Sequence, residues 1–155
     1  MAVADSSPSN RYNVILEEED ARGGHIRDHI GKTDEEMKDI LSRRVYRSSN
    51  LFGLTIVIFD KLFGSFDNRN SATELINQTL NSNLQRVDRI TEGISRREEI
   101  DMTFDGVTGR EAFTSNPRLR PAVRTTDSVR VVIVPDPGRD KGYRVLTAFP
   151  KNIRN

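Results

Sequence analysis

Apolar spacing changes period along the chain, and that change restricts the fold more than any other feature. Behind a Thr33/Glu36 capping-box pattern, Met37, Ile40, Leu41 and Val45 return at helical intervals, which predicts a helix from about Asp34 to Tyr46. A second helix is predicted from Ser71 or Ala72 to about Asn81, with Ala72, Leu75, Ile76, Thr79 and Leu80 along one side. The segment VRVVIVPDPGRDKGYRVLTAFP reads differently: two β-rich runs, Val129–Val134 and Tyr143–Phe149, flank a turn rich in Pro, Gly and Asp. Between the halves lie a helical or extended stretch near Leu84–Ile94, a strand at Ile100–Phe104 and a loop through Pro117 and Pro121. Helices first and strands later predict an α+β layout, N-terminal helices packed on a C-terminal antiparallel β-sheet, and not alternating βαβ units.

A chain of 155 residues fits one domain. Residues 1–13 carry Ser6, Ser7, Pro8 and Ser9 without apolar periodicity and read as a linker, so the domain is expected to span residues 14–155. No segment has the basic and apolar regions of a signal peptide, so export would need information outside this sequence. The most apolar window, Leu51–Phe66, is interrupted by Gly53, Asp60, Lys61 and Gly64 well short of the ~20 residues a membrane span needs, and is expected to be buried core.

There is no cysteine, which excludes a disulfide framework, a thiolate metal site and a cysteine nucleophile. The formal net charge is only +1, but it is segregated: residues 1–40 hold ten Asp/Glu against five Lys/Arg, and residues 110–155 hold four against ten. A basic last third suits a phosphate-rich partner, and it equally suits an ordinary solvated face.

Both histidines, His25 and His29, fall in GGHIRDHIGKT. Gly23-Gly24 permits a sharp turn into His25. The spacing lacks the glutamate of the helical zinc-protease pattern and glycines bracket it, so no metal or other cofactor is expected. On the residues alone, the imidazoles either satisfy hydrogen bonds in a tight turn or serve as proton acceptors near neutral pH.

GGHIRDHIGKTDEEM, then SFDNRNSATELI, then VRVVIVPDPGRDKGYRVLTAFP resemble, in that order, the bacterial ribonuclease A-like toxin domains. These form the C-terminal warheads of contact-dependent growth-inhibition proteins and related polymorphic toxins. The resemblance implies a kidney-shaped α+β fold like pancreatic ribonuclease but without disulfides. It implies metal-independent RNA cleavage by attack of the 2′-hydroxyl on the adjacent phosphate, giving 2′,3′-cyclic phosphate ends. It further implies delivery from a producing bacterium into the cytoplasm of a target cell, and a cognate immunity protein at or beside the active site.

The family's catalytic histidine falls on His29 by the spacing of H-x-G-K-T, with His25 in reserve. At the position of the family's helix arginine this chain has Ile40, so the phosphate-holding guanidinium is expected from Arg43 or Arg44, three and four residues on. The family's strand threonine falls on Thr147, and the aromatic residue two further on, often tyrosine, is Phe149, expected to stack on a base. The acid then falls to Tyr143, Lys32 or water, Tyr143 being expected on the face of Thr147 by strand alternation. From a different class, a non-catalytic RNA- or partner-binding module would use the basic last third.

Overall fold

The computed structural model describes residues 13–153, so the expected linker lies, up to residue 12, outside the described residues. Helix α1 (Leu16–Ala21) and a 3₁₀ turn (Ile26–His29) lead into α2 (Asp34–Arg43). A hairpin of β1 (Val45–Ser49) and β2 (Thr55–Phe59) follows, then β3 (Leu62–Ser65), α3 (Arg69–Asn81) and α4 (Leu84–Thr91). The remaining strands are β4 (Glu98–Thr103), β5 (Gly109–Phe113), β6 (Ala122–Thr126), β7 (Ser128–Pro135) and β8 (Tyr143–Lys151). They form two antiparallel three-stranded sheets, ordered β3-β5-β6 and β4-β7-β8, beside the separate β1-β2 pair. The α+β class is therefore as expected, and the terminal hairpin is β7-β8. No helix among the described residues is long and apolar enough to cross a membrane.

Two cores follow from the helix faces. Ala72, Ile76 and Leu80 of α3 and Val87 and Ile90 of α4 pack on Val129, Val131 and Ile133 of β7 and on Val145 and Ala148 of β8. Met37 and Leu41 of α2, with Ile40 beside them, pack on Phe63 of β3, Ala112 of β5 and Val123 of β6. The Thr33/Glu36 capping box starts α2 as predicted. The helix ends at Arg43 and not at Tyr46, because β-branched Val45 and aromatic Tyr46 open β1 instead.

The window Leu51–Phe66 is a correction. Only its last part is core: Phe63 and Phe66 are buried, while Leu51, Phe52, Leu54, Ile56, Val57 and Ile58 are exposed on the β1-β2 hairpin. A continuous apolar run indicates a strand, but nothing in it tells whether another element covers that strand.

The two sheets touch where β8 ends. A Cβ on Gly64 of β3 would lie 2.0 Å from the Pro150 carbonyl oxygen, and one on Gly109 of β5 would lie 2.8 Å from the Pro150 ring. Only glycine admits this approach, and it brings Phe149 up to the edge of β3.

The charge segregation is largely cancelled by folding. Arg110 pairs with Asp34, and Arg120 with Glu35 and Asp39. Glu19, fully buried on α1, takes Arg139 and Lys141 from the β7-β8 loop and the Val145 N–H. Acids of the first forty residues thus neutralise bases of the last third. Replacing Glu19 with alanine strands two cations over an apolar core, and because both keep some solvent the expected cost is about 3 kcal/mol. Urea unfolding of Glu19→Ala should show a lower midpoint at unchanged slope; an unchanged midpoint would contradict this assignment of the pair.

Candidate active site

The 3₁₀ turn delivers His29 to the free edge of β3. There the Phe66 N–H donates to the His29 carbonyl at 2.7 Å, and the Gly31 N–H donates to the Phe66 carbonyl at 2.8 Å. Gly31 has φ +68°, so the chain turns sharply after the imidazole. His29 Nδ1 lies 2.8 Å from the Gly64 carbonyl oxygen. A carbonyl only accepts, so Nδ1 carries the proton in the neutral ring and Nε2 carries the lone pair.

Two phenylalanines flank this imidazole, one from each sheet. Phe63 stacks on it with centroids 4.8 Å apart and 25° between planes; Phe149 lies at 5.2 Å and 36°. The Arg44 guanidinium sits over the other partner in this stack, 5.0 Å from the Phe63 centroid. Burial among these rings pushes the His29 pKa below the usual imidazole value, against the opposing effect of the Gly64 bond. The positive charge of Arg44 lowers it further. His29 is therefore neutral, and able to accept a proton, at pH 7.

Helix α2 separates the two candidate arginines. Arg44 is the residue that closes the helix, and it turns toward Phe63 while approaching Asp60 at 3.5 Å. Arg43 is exposed and donates from Nε to the Asp39 carbonyl of its own helix, so it is not brought to the imidazole. Ile40 packs against the small core under α2, consistent with its apolar side chain. His25 stands apart from the ring stack: it is exposed, 3.8 Å from Asp28, and its backbone N–H donates to the Leu146 carbonyl.

Strand β8 contains an irregularity that alternation does not foresee. Val132 pairs with Thr147 and Ile133 with Val145, so Leu146 is an extra residue. Residues on either side of a bulge exchange faces. Thr147 and Phe149, paired with Val132 and Arg130, share the sheet face away from α3 and α4, whereas Tyr143 points into the core. This corrects the expectation for Tyr143, which is 0% exposed with Lys141 over its ring. It cannot be presented to a ligand on the face of Thr147. The Thr147 hydroxyl has no hydrogen-bond partner among the described residues. Lys32 follows Gly31, with its backbone N–H on Ser65 Oγ at 3.0 Å.

The structure thus brings together a partly buried imidazole, one guanidinium and two phenylalanines, with Thr147 on the same strand face as Phe149. Among the described residues no group of His, Cys, Asp or Glu is arranged to hold a metal ion. Phe63 was missed by sequence reasoning, because a phenylalanine 34 positions from its imidazole carries no local signal.

The fold is an α+β domain without disulfides, its antiparallel sheets meeting beside an imidazole, and the comparisons put it in the ribonuclease A-like class. Residues 60–150 match the family described as the bacterial CdiA-CT RNAse A domain, and the chain belongs to that family, the ribonuclease toxin domains of contact-dependent inhibition. The matched span contains Thr147 and Phe149, while His29 and Arg44 precede it. The chain is also similar to one in the crystal structure of a CdiA-CT/CdiI complex from Y. kristensenii 33638, with 25% identity and a TM-score of 0.64 over 83% of this chain and 99% of that one. Comparison with curated proteins gives no match.

Proposed function

We propose that this domain, residues 14–155, is a metal-independent endoribonuclease that cuts RNA by internal transesterification. The observation that carries the reading is the His29 Nδ1–Gly64 carbonyl bond, which leaves the Nε2 lone pair free in a ring kept neutral by burial. Nε2 takes the 2′-hydroxyl proton as O2′ bonds to phosphorus, and the bond from phosphorus to O5′ breaks. The products are a 2′,3′-cyclic phosphate and a 5′-hydroxyl, once O5′ receives a proton from Lys32 or water. Arg44 and Thr147 donate to the phosphate oxygens as their charge builds, and Phe149 stacks on a base. Val14 supports the proposed start of the domain, since it is buried in the main core.

Incubating the purified domain with total RNA in EDTA tests this reading. Cleavage with cyclic phosphate ends is the expected result, whereas RNA binding without cleavage would favour a non-catalytic module. Thr147→Val keeps the β-branched shape and loses only the hydroxyl, so it should slow cleavage about tenfold or more at nearly unchanged Tm. Wild-type rates in that variant would remove Thr147 from the site.

The related CdiA-CT chain is seen with CdiI, which supports a cognate immunity protein for this domain too. We place that partner over or beside the cleft, where it would keep RNA out. The domain is delivered from the producing cell and acts in the target cytoplasm.

A further inference from the structure

We infer that Arg144 forms a second phosphate subsite, holding a phosphate next to the scissile one on the same RNA strand. This rests on the ribonuclease reading and extends it to how the cleft tracks its substrate. The bulge at Leu146 carries the first observation. It turns Tyr143 into the core and places Arg144, paired with Val134, on the same face as Thr147 and Phe149. Along that face Arg144, Thr147 and Phe149 follow one another at steps of about 7 Å, the rise of two strand residues.

The guanidinium is the second observation. It lies against the Gly23-Gly24 turn that leads to His25, 3.7 Å from where a Cβ on Gly23 would stand. Its Nη1 is shielded from solvent and has no hydrogen-bond partner among the described residues. No carboxylate pairs with it there either. Arg110, Arg120, Arg124, Arg130 and Arg139, by contrast, each hold an acid. Glu19, the buried carboxylate next to this strand, is already engaged by Arg139, Lys141 and the Val145 N–H.

A guanidinium stays charged at any ordinary pH, and a shielded donor without an acceptor is destabilising, so native chains rarely keep one without use. Its planar fork matches phosphate oxygens better than any neutral group. With Arg110, Arg120, Arg124, Arg130, Arg139 and Lys141 each paired to an acid, Arg144 is placed to supply a cation one step beyond Thr147.

Two non-cleavable probes separate the subsite from the catalytic centre. A 2′-O-methyl dinucleotide has one phosphate, and a 2′-O-methyl tetranucleotide has three. Arg144→Gln should bind the tetranucleotide about tenfold more weakly, with the slope of log K against log salt reduced by about 0.7, and should bind the dinucleotide like the parent. Its Tm should not fall, because the change removes an unpaired charge. Equal weakening of both probes, or of neither, overturns the inference, as does a lower Tm with both affinities intact. These affinities do not depend on turnover, so failure of the parent to cut total RNA would sink the ribonuclease reading separately.

Discussion

His29→Ala is expected to lower RNA cleavage by about 10³-fold, the scale of a lost general base. The effect is chemical first: no other imidazole is held with a free lone pair at the junction of the sheets, since His25 is exposed beside Asp28. It is also partly structural. The ring packs on Phe63 and Phe149 and donates to the Gly64 carbonyl, so its removal leaves a gap and an unpaired acceptor costing about 1–2 kcal/mol. His29→Phe refills the gap and separates the two effects. It should approach the parent in Tm more closely than His29→Ala and be equally inactive, whereas recovery of activity on refilling would show that the ring acts only as packing. His25→Ala should retain most of the rate in the same assay.

Arg44→Ala should slow cleavage by about 10²-fold, the loss of one donor to a charged transition state, while Arg43→Ala should stay close to the parent. The pH dependence gives an independent check. On the proposed mechanism, protonated His29 cannot accept the 2′-proton, so kcat/KM should fall as pH drops through its pKa. Burial first, and the charge of Arg44 second, hold that pKa below the usual imidazole value. Removing Arg44 raises the pKa, so the acid limb of the profile should move to higher pH; Arg44→Lys should keep it near the parent. A limb that does not move would mean Arg44 does not act on the imidazole, and equal small losses for Arg43 and Arg44 would place the phosphate cation elsewhere.

The elements read best from sequence are those whose signal is local and complete. The capping box at Thr33 and the apolar side of α3 each specify a helix by spacing alone, and β7 and β8 carry long β-branched runs around a Pro/Gly turn. The sheet β3-β5-β6 was not legible, because strands such as GREAF and AVRTT gain their stability from Gly–Pro150 contact and from α2, both distant in sequence. His29 and Thr147 came from the family resemblance, and their surroundings did not. Arg44 was separable from Arg43 only once the end of α2 was placed. The Leu146 bulge has no residue signature, yet it decides that Arg144 and not Tyr143 accompanies Thr147.

Cleavage of a DNA oligonucleotide carrying one internal ribonucleotide, in EDTA and with the products weighed by mass spectrometry, tests the proposed chemistry most directly. The proposed mechanism predicts a single cut on the 3′ side of that ribonucleotide, a 2′,3′-cyclic phosphate on one fragment, a 5′-hydroxyl on the other, and no cut when the 2′-oxygen is methylated. Cleavage of the methylated strand, a 5′-phosphate product, or cutting that begins only on addition of a divalent metal would contradict it.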